Sequence, residues 1–134
     1  MYKKVMVVDD NQIDLYVAEI SLKRNSFAAE VVIKNSAIAA LEYLESAADT
    51  PEELPQLIFL DINMPEINGF EFLEAFQHLP SSIHNVCVIM MLSSSIDPED
   101  YKKAEENRFV KRFLNKPLVK EKLKELLLEL EYGS

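Results

Sequence analysis

Short runs of consecutive apolar residues, each stopping at a polar residue, constrain this chain more than any other feature. Val5–Val8 stops at Asp9 and Asp10, Leu57–Leu60 at Asp61, and Val86–Leu92 at Ser93. Such runs suit strands covered on both faces, and the longest, about seven residues, is far below the roughly 20 that a membrane span needs. Two more mixed stretches, Ala29–Ile33 and Val110–Leu114, read as further strands.

Between the runs, apolar residues recur at helical spacing. Ile13, Tyr16, Val17 and Ile20 predict an amphipathic helix that Asn11 can cap and that fades near Asn25. Ile38, Leu41, Leu44 and Ala47 or Ala48 predict a second helix opened by Ser36, and Phe72, Phe76 and Leu79 a third. The fourth starts at Asp97-Pro98-Glu99-Asp100, with Asp97 as cap and Pro98 in the first turn, and offers a core only Tyr101 and Ala104. Val119, Leu123, Leu126, Leu127 and Leu130 spell a fifth. Strand and helix therefore alternate five times. Short connections between parallel neighbours require right-handed crossovers, so the expected architecture is α/β: a doubly wound, five-stranded parallel sheet, (βα)5.

With 134 residues the chain suits one domain, spanning 1–134, with no output segment after the last helix. Its net charge of −9 argues against gripping nucleic acid or an anionic membrane directly. No signal peptide or membrane span is apparent, so a cytoplasmic location is expected. The single cysteine, Cys87, lies in an apolar run and reads as buried; His78 and His84 read as ordinary surface residues.

All strands of a parallel sheet point one way, so their carboxyl ends gather at one edge. That edge receives Asp9 and Asp10, then Asp61, Ser93 and Lys116. Crowded carboxylates repel one another, and a divalent cation with oxygen ligands relieves them; Mg²⁺ fits best because it uses one or two carboxylates and keeps waters or substrate phosphate. A hydroxyl and an ammonium opposite would cradle a phosphoryl group, leaving Asp61 as nucleophile.

These residues carry a resemblance to the receiver domains of two-component response regulators of the single-domain, chemotaxis type. VVDDN at Val7–Asn11 is similar to the family's acidic pair, and LDINMPEINGFEFL at Leu60–Leu73 to its phosphorylation segment. LSS at Leu92–Ser94 and NKPL at Asn115–Leu118 match its hydroxyl and lysine-proline positions. The resemblance implies a flavodoxin-like fold with strand order 2-1-3-4-5. It implies that Asp61 takes a phosphoryl group from a histidine kinase or phosphotransfer protein. Mg²⁺ would be held by Asp10 and Asp61, by the Asn63 backbone carbonyl, and by Asp9 through water. Ser93 and Lys116 would hold phosphoryl oxygens, with a cis bond between Lys116 and Pro117.

The switch position is Phe113, a ring without a hydroxyl, which would turn inward with Ser93. The resulting change would alter a surface of helix four, strand five and helix five, read by an effector protein or a second copy of the chain. Ser94 and Ser95 would flank the water route to the acyl phosphate. Two alternatives stand beside this reading. A phosphohydrolase with an aspartate nucleophile would need an acid two residues on, where this chain has Asn63. An adaptor that is never phosphorylated would not need the full set of strand-end groups.

Overall fold

We describe residues 1–94 and 97–132 of a computed structural model, with side chains to residue 130. Ser95 and its proposed role lie outside the described residues. Five strands, β1 (Tyr2–Val8), β2 (Ala28–Lys34), β3 (Leu57–Asp61), β4 (Val88–Ser93) and β5 (Val110–Asn115), alternate with five helices. These are α1 (Gln12–Arg24), α2 (Ala37–Ser46), α3 (Gly69–Gln77), α4 (Pro98–Glu106) and α5 (Lys120–Tyr132). A 3₁₀ turn at Pro51–Glu53 precedes β3, and one helical turn, Ser81–His84, precedes β4. Every strand pair is parallel and the order is β2-β1-β3-β4-β5, the expected doubly wound sheet.

The two cores follow from strand alternation. Val5, Val7, Leu57, Phe59, Met90 and Leu92 face α1 and α5, meeting Leu15, Ala18, Leu22, Leu123 and Leu126. Met6, Val8, Ile58, Leu60, Ile89 and Met91 face the other way, toward Ala40, Leu44, Phe72, Phe76 and Ala104 of α2, α3 and α4. Cys87 joins this second core, and burial pushes its thiol up to about 12.

The helix starts follow their caps. Asn11, Ser36, Asn68 and Asp97 each accept a backbone N–H of the first turn, and Asn68 forms a reciprocal box with Glu71. On α1, however, the row that predicts the helix is not its core face. Ile13, Tyr16, Val17 and Ile20 are between 47 and 72 % exposed, while Leu15, Ala18 and Leu22 are buried. Both rows have helical spacing, and the one containing alanine lets the helix lie closer to the sheet. Ile38 of α2 is likewise exposed while Ala37, Ala40 and Leu44 pack inward. Tyr101 of α4 is also largely exposed, leaving Ala104 as that helix's buried residue.

Strand β1 begins earlier than its apolar run, because Lys4 is inside it and 6 % exposed. Its ammonium donates to Tyr43 Oη at 3.0 Å and to Glu53 Oε2 at 3.0 Å, with Glu30 at 3.6 Å. Burial alone would lower its pKa; the hydrogen bonds to Tyr43 and Glu53 prevail and raise it. His78 is exposed as expected, but His84 is half-buried. Its ring lies between Phe76 and Phe109, at 5.0 and 4.7 Å, with Nε2 2.7 Å from the Phe76 carbonyl. It is a packing residue.

Candidate functional site

The alternation that builds the cores also decides which side chains meet at the carboxyl edge. Val5 and Val7 face α1 and α5, so Asp9 continues their row; Leu57 and Phe59 do the same for Asp61. Asp9 and Asp61 are buried and Asp10 is exposed, and one carboxylate oxygen of each lies within 4.8 Å of the others. Lys116 reaches this cluster from the end of β5. Its Nζ is 2.6 Å from Asp9 Oδ2, 3.0 Å from Asp14 Oδ2 and 3.1 Å from Asp61 Oδ1. The other Asp9 oxygen accepts the Asn11 N–H at 2.9 Å.

Ser93 ends β4 and is buried, one position beyond Leu92, which pairs with Asp61. Its carbonyl accepts the Lys116 N–H at 2.9 Å, tying the hydroxyl-bearing strand end to the lysine. The Lys116–Pro117 peptide bond is cis. Asn63 and Ser94 are exposed in the loops that leave β3 and β4. Phe113 is half-buried, its ring set edge-on to Tyr101 at 5.6 Å.

Gly69 fixes how closely α3 approaches. Its N–H donates to the Ile62 carbonyl at 2.8 Å, and a Cβ there would lie 2.8 Å from the Asp61 carbonyl oxygen and 2.9 Å from Ile62 Cα. Both are backbone atoms that cannot swing aside. The loop between Asp61 and Gly69 is therefore pressed against the helix.

Charge dominates the site. Burial first, and Asp9 second, push the Asp61 carboxyl up from 3.8 to about 6; Lys116 pulls it back only in part, and Asp10 adds to the rise. Lys116 itself is raised: burial opposes its charge, but hydrogen bonds to Asp9 and Asp14 and the charge of Asp61 outweigh that. One ammonium thus leaves the carboxylates under-compensated. The donor set is all oxygen and the excess charge is negative, which fits a hard divalent cation.

Sequence reasoning brought together Asp9, Asp10, Asp61, Ser93 and Lys116, and all five meet at this edge. It missed Asp14, whose signal was its place one helical turn beyond Asp10 in a helix starting at the same edge.

The chain matches the model of the response regulator receiver domain over residues 5–128. A two-component response regulator from Cytophaga hutchinsonii superposes with a TM-score of 0.88 at 29 % identity, over 97 % of each chain. A response regulator receiver protein from Dyadobacter fermentans gives 0.83 at 36 % identity, over 95 % of this chain and 96 % of its own. The two-component response regulator ORR1 of Oryza sativa is 31 % identical over 86 % of this chain, which spans 49 % of that protein's length. Among the described residues no helix is long and apolar enough to cross a membrane. Strand order, strand-end chemistry and relatives agree, and the chain belongs to the response regulator receiver domain family.

Proposed function

We propose that this receiver domain is a phosphorylation switch in which Asp61 is the phosphoacceptor. The observation that carries the reading is the Lys116 ammonium 3.1 Å from Asp61 Oδ1, at the one edge where Asp9 and Asp10 also converge. A carboxylate oxygen of Asp61 attacks the phosphorus of a phosphohistidine, the P–N bond breaks, and the imidazole leaves with a proton. Asp10 and Asp61 would hold Mg²⁺ through carboxylates, Asn63 through its carbonyl and Asp9 through water. When bound, the ion supplies neutralisation of phosphoryl charge. Lys116 and the Ser93 hydroxyl hold phosphoryl oxygens that the ion does not.

The exposed apolar row on α1 supports a protein donor. Ile13, Tyr16, Val17 and Ile20 lie on the helix that begins at the acidic pair, and Val17 also lines a cleft with Asp14, Lys116 and Pro117. A patch beside the acceptor suits a kinase or phosphotransfer protein, an exchange that takes place in the cytoplasm.

Phosphorylation adds roughly two negative charges. Ser93 and Lys116 follow them, and Phe113 leaves its edge-on contact with Tyr101 to fill the space behind Ser93. The α4–β5–α5 face is then remade for an effector or a second copy of the chain. A groove lined by Tyr101, Ala104, Glu105 and Phe113 already separates α4 from β5, and α4 buries little, which favours movement there.

Incubation with acetyl phosphate and Mg²⁺, followed by intact mass measurement, tests the reading. A labile gain of about 80 Da, absent in Asp61→Asn, is expected. No gain in the wild type would favour the adaptor, and rapid turnover of phosphate esters the hydrolase.

A further inference from the structure

We infer that Asp14 is a positioning residue for Lys116, the carboxylate that keeps the ammonium over Asp61 once a divalent cation engages the acidic cluster; this rests on the cation reading above.

Lys116 has three N–H bonds and three carboxylate neighbours: Asp9 at 2.6 Å, Asp14 at 3.0 Å and Asp61 at 3.1 Å. Two of the three, Asp9 and Asp61, belong to the cluster whose oxygens converge within 4.8 Å, and Asp14 does not. A cation at that cluster draws the lone pairs of Asp9 and Asp61 toward itself and repels the ammonium. Asp14 is then the one anion of the three free to compensate Lys116. It stands on the first turn of α1, where its own N–H donates to Asn11 Oδ1 at 3.0 Å, so its backbone is fixed. Its side chain is 41 % exposed, against 3 % for Asp9, which lets it follow the ammonium by a change of rotamer. Without it, Lys116 has a solvent-facing route out of the site.

The ammonium itself is the readout. In ¹⁵N-labelled protein, a lysine NH₃⁺ held by carboxylates exchanges slowly with water and gives a resolvable signal, assigned here by its loss in Lys116→Met. In metal-free Asp14→Asn, Asp9 and Asp61 still hold Lys116, and exchange should match the wild type. With saturating Mg²⁺, exchange in Asp14→Asn should be about two- to fivefold faster than in the wild type, the scale of one partly exposed ion pair. Asp14→Glu should restore most of the difference. Asn11 can cap either variant, since it binds backbone.

Equal exchange in the Mg²⁺ forms of wild type and Asp14→Asn would overturn the inference, as would a difference of the same size without Mg²⁺, which would make Asp14 a general anchor of the resting site. Saturable shifts of the Asp9 and Asp10 amides report cation binding independently. Their absence in the wild type would overturn the cation reading and this inference with it, whereas their presence beside unchanged exchange would remove Asp14 alone.

Discussion

Replacing Asp61 by Asn should stabilise the metal-free protein at neutral pH, although the position is the centre of the proposed chemistry. The Asp61 carboxyl is raised from 3.8 to about 6 by burial and by Asp9, with the pull of Lys116 already included. For an acid raised on folding, the folded protein binds the proton more tightly than the unfolded chain. Its ionisation therefore costs stability, which is lost as pH rises from about 4 through 6 and stays lost above. A shift of roughly two units at 1.36 kcal/mol each gives about 3 kcal/mol, undiscounted because the side chain is 6 % exposed. Asn has the same shape and no charge, so Asp61→Asn recovers up to that amount. For a domain of this size it corresponds to a Tm higher by about 10 °C. Calorimetry in EDTA at pH 7.5 should show that gap, and the gap should shrink at pH 4.5 as Asp61 protonates. Saturating Mg²⁺ should raise the wild type by about 2.7 kcal/mol at a hundred times its Kd and the variant by much less. A variant no more stable than the wild type in EDTA, or a gap independent of pH, would refute the electrostatic account.

Gly69→Ala should cost about 1–3 kcal/mol in chemical denaturation and slow adduct formation, since its Cβ would press on the Asp61 backbone; wild-type stability would contradict the close approach. Lys4→Ala should lower stability by about 2 kcal/mol in urea melts, because Tyr43 and Glu53 lose their partner. Lys116→Ala should still form some adduct but lose any phosphorylation-dependent gain in partner affinity, measured by titration calorimetry. Val17→Asp should slow transfer from a phosphorylated protein donor at least fivefold while leaving acetyl phosphate unaffected, and equal slowing of both would place Val17 in the chemistry rather than in docking.

What could be read from the chain was what depends on neighbours in sequence. The caps at Asn11, Ser36 and Asp97 are local hydrogen bonds, and the strand-end acids need only the βα order to converge. What could not be read depends on distant partners. Lysine beside an apolar run implies solvent, yet Lys4 is buried because Tyr43 and Glu53 arrive from 39 and 49 residues away. Asp14 could be placed on a helix, but its lysine is 102 residues distant. On α1 the two apolar rows compete at one periodicity, and large side chains suggested the wrong one. Alanine contributes little to an apolar count but permits close packing, and which row turns inward is set by the sheet.

Strand β1 carries a buried charge on either side of its apolar run: Lys4 before it and Asp9 just beyond it, with Val5–Val8 between them at 0–1 % exposure. A slip of one residue would turn the row to the wrong face, and a slip of two would draw one of the charges into hydrocarbon. The pair therefore acts as a ruler for β1. The distance from the Lys4 clasp sets where Asp9 stands relative to Asp61 and Lys116, so part of the precision of the acidic edge is specified at the opposite end of the sheet.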